Sequence, residues 1–499
     1  MTVSTCTVAA EPTPAETVAK RDRWIAVLVL LVASFMNLID VTIVNVALPS
    51  MEAAFNATEA QIEWVVAAYI LVFALCLLPA GRAGDSYGRR NVFMVGVTVF
   101  TAGSAFCGLA QSIDMLVLAR IIQAIGGAMM IPQTLALVPA LFPPAERGAV
   151  FALFGLSAGL ASVAGPLLGG VLIGADLWGL DWRPIFLVNI PVGIIAVLLA
   201  LRFVPQVPPS DGAKHDPIGV LLAGGALLLV IFPLIEGRLL GWPFWCFAMM
   251  VASVPVAVLF VRWQWRQAAA GRPQLLSADL LENRAYVLGI FLTALLFSGM
   301  PGFFLITALF LQNGFGLTPL QSGLTTVPFS LGVLGASFVA GRLGNRWLRL
   351  RISVGAGMIA SGMASLWIVT AMVGETVVSW HFLPSLLFCG LGLATAISPL
   401  FNTVLASVTG ENSGAASGAL QAFQQVGGAL GVAIVGQLFF SRLAASGSAA
   451  EMHAAYVHAY QTGIAYPVLS FGALACLAWF LPKPVIRSQN PMAASAVHE

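Results

Sequence analysis

The chain has 499 residues, of which 59% are hydrophobic and 9% charged, with a mean hydropathy of +0.93 and a formal net charge of +2. A soluble domain carries roughly 25% charged residues, so this chain could not cover a water-facing surface of its own size, and lipid must be the solvent for much of it. The near-neutral balance leaves no footprint for nucleic acid, and six scattered cysteines without a CxxC pair support neither a metal site nor a disulfide framework.

Residues 1–23 read as a polar cytoplasmic tail. The apolar run that follows is longer than the roughly 7–15 residues of a signal-peptide core, so no cleaved signal is expected. A helix needs about 20 residues to cross the hydrocarbon core, where only internal backbone bonding is tolerated. Fourteen such runs follow in chain order, near 24–48, 62–80, 91–110, 114–136, 148–174, 184–204, 217–235, 243–262, 285–311, 321–341, 351–373, 381–405, 414–440 and 462–482. With the N-terminus inside, the outer side holds Arg183, Arg238 and Arg442, Arg120 lies within the fourth run, and every other Lys and Arg of the 23 is cytoplasmic. This positive-inside bias persists to the C-terminus and supports an even count, with both termini on the cytoplasmic side of the plasma (inner) membrane.

The loop Gly81-Arg82-Ala83-Gly84-Asp85 after the second run recurs as Gly341-Arg342-Leu343-Gly344-Asn345 after the tenth. The expected fold is therefore an all-α integral membrane protein of two related six-helix bundles plus two extra helices. Its divisions are residues 24–204, a linker with two spans at 205–284, residues 285–482, and a cytoplasmic tail at 483–499. Such repeats place a substrate site at their interface near the bilayer midplane. The segment 442–461 reads as the longest outer loop. Its His453 and His458 lie five apart, which does not suit a shared metal.

Charged groups inside apolar runs carry the chemistry. Asp40 costs about 2.5–3.5 kcal/mol on insertion scales, and Arg120 a similar amount. At about 1.5 Å per residue, Asp40 lies roughly 13 Å below the outer face and Arg120 roughly 9 Å, so the two can meet. Asp40 is then the candidate proton-titrating group and Arg120 its tuner, the alternative being a permanent ion pair that locks two helices. Asn37, Asn45, Gln123 and Asn189 are candidate cavity residues, or else interhelical bonding groups. Gln421, Gln424 and Gln425 fall on adjoining faces of one helix. Gly165, Pro166, Gly169 and Gly170 remove side chains and one backbone donor, which permits close packing and bending.

Gly81 to Arg90 (GRAGDSYGRR) resembles the span 2–3 loop motif of the major facilitator superfamily, and Phe35 to Pro49 (FMNLIDVTIVNVALP) looks like the first-span motif of its fourteen-span drug:proton antiporters. Leu118 to Ala128 (LARIIQAIGGA), Gly165 to Gly170 (GPLLGG) and Asp181 to Gly193 (DWRPIFLVNIPVG) are similar to further motifs of that group. Ala83, Ser86 and Ala161 depart from the usual Leu, basic residue and Gly. The resemblance implies proton-coupled export of hydrophobic or cationic compounds by alternating access. It also implies that the span 5 motif favours antiport, and that Gly81, Asp85, Gly88 and Arg89 form a cytoplasmic gate. The expected partners are a small-molecule substrate, protons and the lipid bilayer. A periplasmic adaptor leaves no signature in one chain. The alternatives are a superfamily carrier for one metabolite, including uptake, and a membrane enzyme or channel. No cofactor is expected. Neither an HExxH motif nor a Walker A loop is present, since the three lysines follow Ala, Ala and Pro.

Overall fold

The computed structural model describes residues 19–207, 216–237, 240–343, 346–372, 379–406, 408, 412–443 and 449–482. Among them the chain is helical without a strand, and fourteen long helices follow one another, with a short one at Ala278–Glu282. These are α1 (Lys20–Phe55), α2 (Glu59–Tyr87), α3 (Arg89–Gly108), α4 (Ile113–Leu141), α5 (Pro144–Gly174), α6 (Pro184–Phe203) and α7 (Pro217–Glu236). Then come α8 (Phe244–Ala269), α9 (Arg284–Leu309), α10 (Pro319–Leu343), α11 (Leu348–Met372), α12 (Leu383–Ala406), α13 (Ser413–Phe440) and α14 (Ala449–Leu477). Thirteen candidate membrane spans are found among the described residues. The 31-residue α5 stands between the fourth and fifth of these, where the fifth apolar run was expected.

Local chemistry sets the ends. Thr58 and Gln61 form a capping box at the start of α2, Ser112 caps α4, Asp216 caps α7 and Asn283 caps α9. Each satisfies amides that the first turn leaves without partners. Prolines stand inside most of these helices, Pro132 and Pro301 among them. Neighbouring helices allow this in a membrane bundle by re-satisfying the freed carbonyls.

The outer loop expected at 442–461 is mostly helix. Residues 444–448 lie outside the described residues, and α14 begins at Ala449, so His453 and His458 stand on it. The alanines of its first turns are strong helix formers. Tyr460 and Tyr456 pack it onto Phe310 and Phe439, and His453 stacks on Phe315 with ring centroids 4.9 Å apart. The loop expected at 205–216 is described only at its ends, and Gly344 and Asn345 of the repeated loop lie outside the described residues.

α3 packs on α4, α2 on α4, and α1 on α5 and α6. Later in the chain, α9 packs on α13, α10 and α11 on α12, and α11 on α14. Two seams join these groups, α2 against α13 and α5 against α10 and α12. α7 and α8 pair with each other, and α7 also rests on α2 and α13. Of the α8 window that would sit in the bilayer, 11% is buried, so lipid is its main neighbour.

Candidate transport site

Asp40 on α1 is fully buried, and Arg120 on α4 is 1% exposed. Arg120 Nη1 donates to Asp40 Oδ2 at 2.5 Å. A charge buried among apolar side chains persists only when paired and hydrogen-bonded, and five helices supply the partners. Arg120 Nε donates to the Val65 carbonyl of α2 at 3.1 Å, and Nη1 also reaches Gln123 Oε1 at 2.6 Å. The Tyr69 ring lies 4.1 Å from the guanidinium carbon and the Phe186 ring 5.8 Å. Asp40 Oδ1 accepts from Gln123 Nε2 at 2.7 Å and from Asn189 Nδ2 on α6 at 3.3 Å. Both amides donate as well to Ser104 Oγ on α3, at 2.8 and 3.3 Å. α3 can bring Ser104 so close because Gly103 has no side chain; a Cβ there would stand 2.7 Å from the Gln123 backbone nitrogen.

These partners of Asp40 are all donors. Arg120 takes one carboxylate oxygen and the two amides the other, so both oxygens are met by donors. The pair thereby ties α1 to α4.

A cavity of about 250 Å³ lies on the other side of Tyr69, between the two helix groups. α1 gives it Ser34, Asn37, Leu38, Val41 and Thr42, and α2 gives Tyr69, Ile70 and Phe73. Phe297, Ile397 and Phe401 face these from α9 and α12, and Gln421, Gln424 and Gln425 from α13. Of the four amides expected together on a cavity wall, Asn37 lines this one and donates to the Tyr69 hydroxyl. Gln123 and Asn189 stand on Asp40 instead. Asn45 is exposed and donates to the Val41 carbonyl of its own helix at 3.2 Å. Tyr69 thus belongs to both places, its hydroxyl edge toward the cavity and its ring against Arg120.

At the end of the bundle where α2 meets α3, Asp85 is 3% exposed and Arg89 6%. Arg89 Nη2 donates to Asp85 Oδ1 at 3.2 Å, and Arg89 Nη1 donates to the Ala136 carbonyl at 3.4 Å. Asp85 also accepts from the backbone amides of Gly414 and Ala415, both at 2.9 Å. It therefore caps α13 from another helix, placing a carboxylate at the positive end of that helix dipole. Asn412 at the N-cap position makes no side-chain cap of its own. Gly81 and Gly414 permit the approach, since a Cβ on either would overlap the other's carbonyl oxygen. Gly88 turns the chain from α2 into α3 at φ +88°, where a side chain would be strained. Ser417 Oγ adds a bond to the Pro132 carbonyl at 2.8 Å, and Ser398 Oγ one to the Gly148 carbonyl at 3.1 Å.

On α5, Gly165 and Gly169 lie against Thr42, Ile43 and Val46 of α1. Thr42 Oγ1 donates to the Ala161 carbonyl at 3.1 Å. The glycine face therefore seats α5 on α1 beside Asp40. Gly170 is exposed, with nothing near its missing side chain, and Pro166 continues the helix between them.

Tyr69, Ser104, Ser34 and the Val65 carbonyl carry this geometry without having been singled out in the sequence. Ser34 and Ser104 are polar residues within apolar runs, which is the signal that found the amides. Nothing in the sequence marks a carbonyl. No group of three His, Cys, Asp or Glu side chains that could hold a metal occurs among the described residues.

Comparison with known proteins places these features in context. The profile of the Major Facilitator Superfamily matches residues 30–432. A "Probable actinorhodin transporter" of Streptomyces coelicolor is 38% identical over 428 residues, covering 86% of this chain and 74% of that protein. The puromycin resistance protein of Streptomyces alboniger is 33% identical over 471 residues, 92% of this chain and 91% of that one. Among solved structures, the proton:xylose symporter XylE superposes with a TM-score of 0.62 at 17% identity, covering 93% of this chain and 97% of that one, a likeness of fold.

Proposed function

Since the chain belongs to the major facilitator superfamily, we propose that it is a proton-coupled antiporter of the fourteen-span drug-export type. In this reading it is a carrier rather than an enzyme. α1–α6 and α9–α14 are its two moving bundles, and α7 and α8 lie between them in sequence. The Asp85 end faces the cytoplasm, both termini with it, in the plasma membrane. The names of its relatives support export of antibiotic-like compounds. The observation that carries the coupling is the buried Asp40–Arg120 pair, with Tyr69 touching both Arg120 and the cavity.

The cycle follows from the donors around Asp40. With Asp40 ionised, Arg120, Gln123 and Asn189 hold α1, α4 and α6 together. A proton arriving on Asp40 from outside neutralises it, and Arg120 loses its counter-charge. Release of that proton to the cytoplasm restores the pair. Substrate in the cavity acts on the same switch through Asn37 and Tyr69, because displacing Tyr69 removes the ring against which Arg120 rests. The Asp85 cap on α13 holds the cytoplasmic end shut while the pair is intact. Gly165 and Gly169 let α5 follow α1 as one body.

Asp40→Asn keeps the shape and the acceptor oxygen but cannot exchange a proton. In inverted membrane vesicles it should abolish substrate accumulation driven by an imposed proton gradient, with normal amounts of folded protein in the membrane. Undiminished accumulation would remove Asp40 from the mechanism.

A further inference from the structure

The export reading leaves the substrate class open, and this inference rests on that reading. We propose that the substrate is an uncharged, flat aromatic molecule bearing hydrogen-bond acceptors on two edges, carbonyl oxygens above all, and that Ser34 and Gln424 select it.

The residues lining the cavity are all neutral. The charges nearest to it, Asp40 and Arg120, already satisfy each other behind Tyr69. A cation entering would leave its water without gaining a counter-charge, which is the costliest form of burial. An uncharged ligand carries no such penalty.

Two donors in the wall have no partner. Ser34 Oγ, in a residue 3% exposed, and Gln424 Nε2, in a residue 6% exposed, are both buried without a hydrogen bond. Buried donors left unmade are costly, and native proteins keep few of them. A ligand acceptor would satisfy each. Ser34 stands one helical turn before Asn37 and Leu38 on α1, while Gln424 shares a face of α13 with Gln421, three residues before it. The two donors therefore come from opposite helix groups, so the acceptors must lie on two edges of one ligand.

Aromatic rings share the lining of this space with aliphatic side chains. Phe297 and Phe401 stack with centroids 6.4 Å apart and planes 17° from parallel, and Phe73 and Phe154 complete the wall. A cavity of about 150 Å³ takes benzene, so about 250 Å³ suits a fused two-ring body.

Three bicyclic probes test this on the purified full-length protein in nanodiscs. They are 7-methoxycoumarin (neutral, with a lactone carbonyl), 2-methoxynaphthalene (neutral, without one) and 6-methoxy-N-methylquinolinium (cationic). The expected order of affinity is coumarin first and quinolinium last. Ser34→Ala and Gln424→Leu should each reduce the preference for coumarin over methoxynaphthalene by about three- to tenfold, the worth of one hydrogen bond. Gln424→Glu should instead raise quinolinium affinity relative to coumarin, a gain that a misfolded variant cannot produce. A wild-type preference for the quinolinium, no binding of any probe, or a coumarin preference untouched by all three substitutions would overturn the proposal. Uptake into inverted vesicles, with and without a proton gradient, separates this from the export reading. A gradient-driven flux that favours the quinolinium keeps export and overturns the neutral substrate. Coumarin selectivity without any gradient dependence does the reverse.

Discussion

Asp85→Asn is the sharpest probe of the end-on cap that joins the two helix groups. The wild-type carboxylate takes two backbone amide bonds of 2.9 Å from α13 and one guanidinium bond of 3.2 Å from Arg89. Bonds to a charged group are worth about 1.5–3 kcal/mol each, and neutral ones about 0.5–1.5 kcal/mol. Asparagine keeps one acceptor oxygen, turns an NH₂ group toward the other α13 amide, and leaves Arg89 without its counter-charge. Weakening one α13 bond by about 1 kcal/mol and losing the other, worth about 1.5–3 kcal/mol, removes about 2.5–4 kcal/mol from the closed end, which changes the ratio of closed to open molecules by a factor on the order of 10² to 10³. Spin labels at Tyr87 on α2 and Ala406 on α12, both exposed, read that ratio as a distance distribution by double electron–electron resonance. The substituted protein should show a longer distance as its main population under conditions where the parent shows the shorter one. Superimposable distributions in the two proteins would refute the idea that Asp85 holds this end shut.

Three further substitutions separate coupling from packing. Tyr69→Phe keeps the ring 4.1 Å from Arg120 and loses the hydroxyl that Asn37 reaches, so proton-driven export should continue with substrate affinity weakened about three- to tenfold. Tyr69→Leu removes the ring, and proteoliposomes should then leak protons without substrate; equal leaks for the two variants would argue against the ring as coupler. Gly126→Val forces a side chain into the Phe100 backbone of α3, an overpacking that should cost about 1–3 kcal/mol or more and lower the melting temperature in detergent while leaving the Tyr87–Ala406 distance between α2 and α12 unchanged.

Much of this architecture was legible because a bilayer demands long apolar runs with internal backbone bonding. Thirteen candidate spans stand near those runs, and α5 occupies the place of the fifth. The Asp40–Arg120 contact could be anticipated because two charges in apolar runs at similar depth have few other partners. Helix rotation was harder to read. Hydrophobicity marks the buried face of a soluble helix, but here lipid, neighbouring helices and cavity are all apolar, so nothing in the run around Gln123 or Asn189 says which of them the side chain meets. Both turned out to surround Asp40. The trans cap of Asp85 on Gly414 and Ala415 was invisible for another reason, since a backbone amide carries no residue signature. The early start of α14 was hidden by His453, Tyr456 and His458, whose polarity suggests a loop although the rings of His453 and Tyr456 pack against aromatic neighbours.

The placement of α7 makes the two seams of the bundle unequal. Along the first, α7 lies across both α2 and α13, and Trp242 beyond its end donates to Gln437 of α13 at 3.0 Å, so acyl chains are kept from the groove beneath. Along the second, Ser330 of α10 bonds the Gly159 carbonyl of α5 at 2.9 Å, yet Leu160 and Leu331 beside that bond are exposed. A hydrophobic molecule already dissolved in the membrane therefore finds a roofed flank and a bare one. On the export reading, the bare flank is where such a molecule would meet the bundle without first crossing into water.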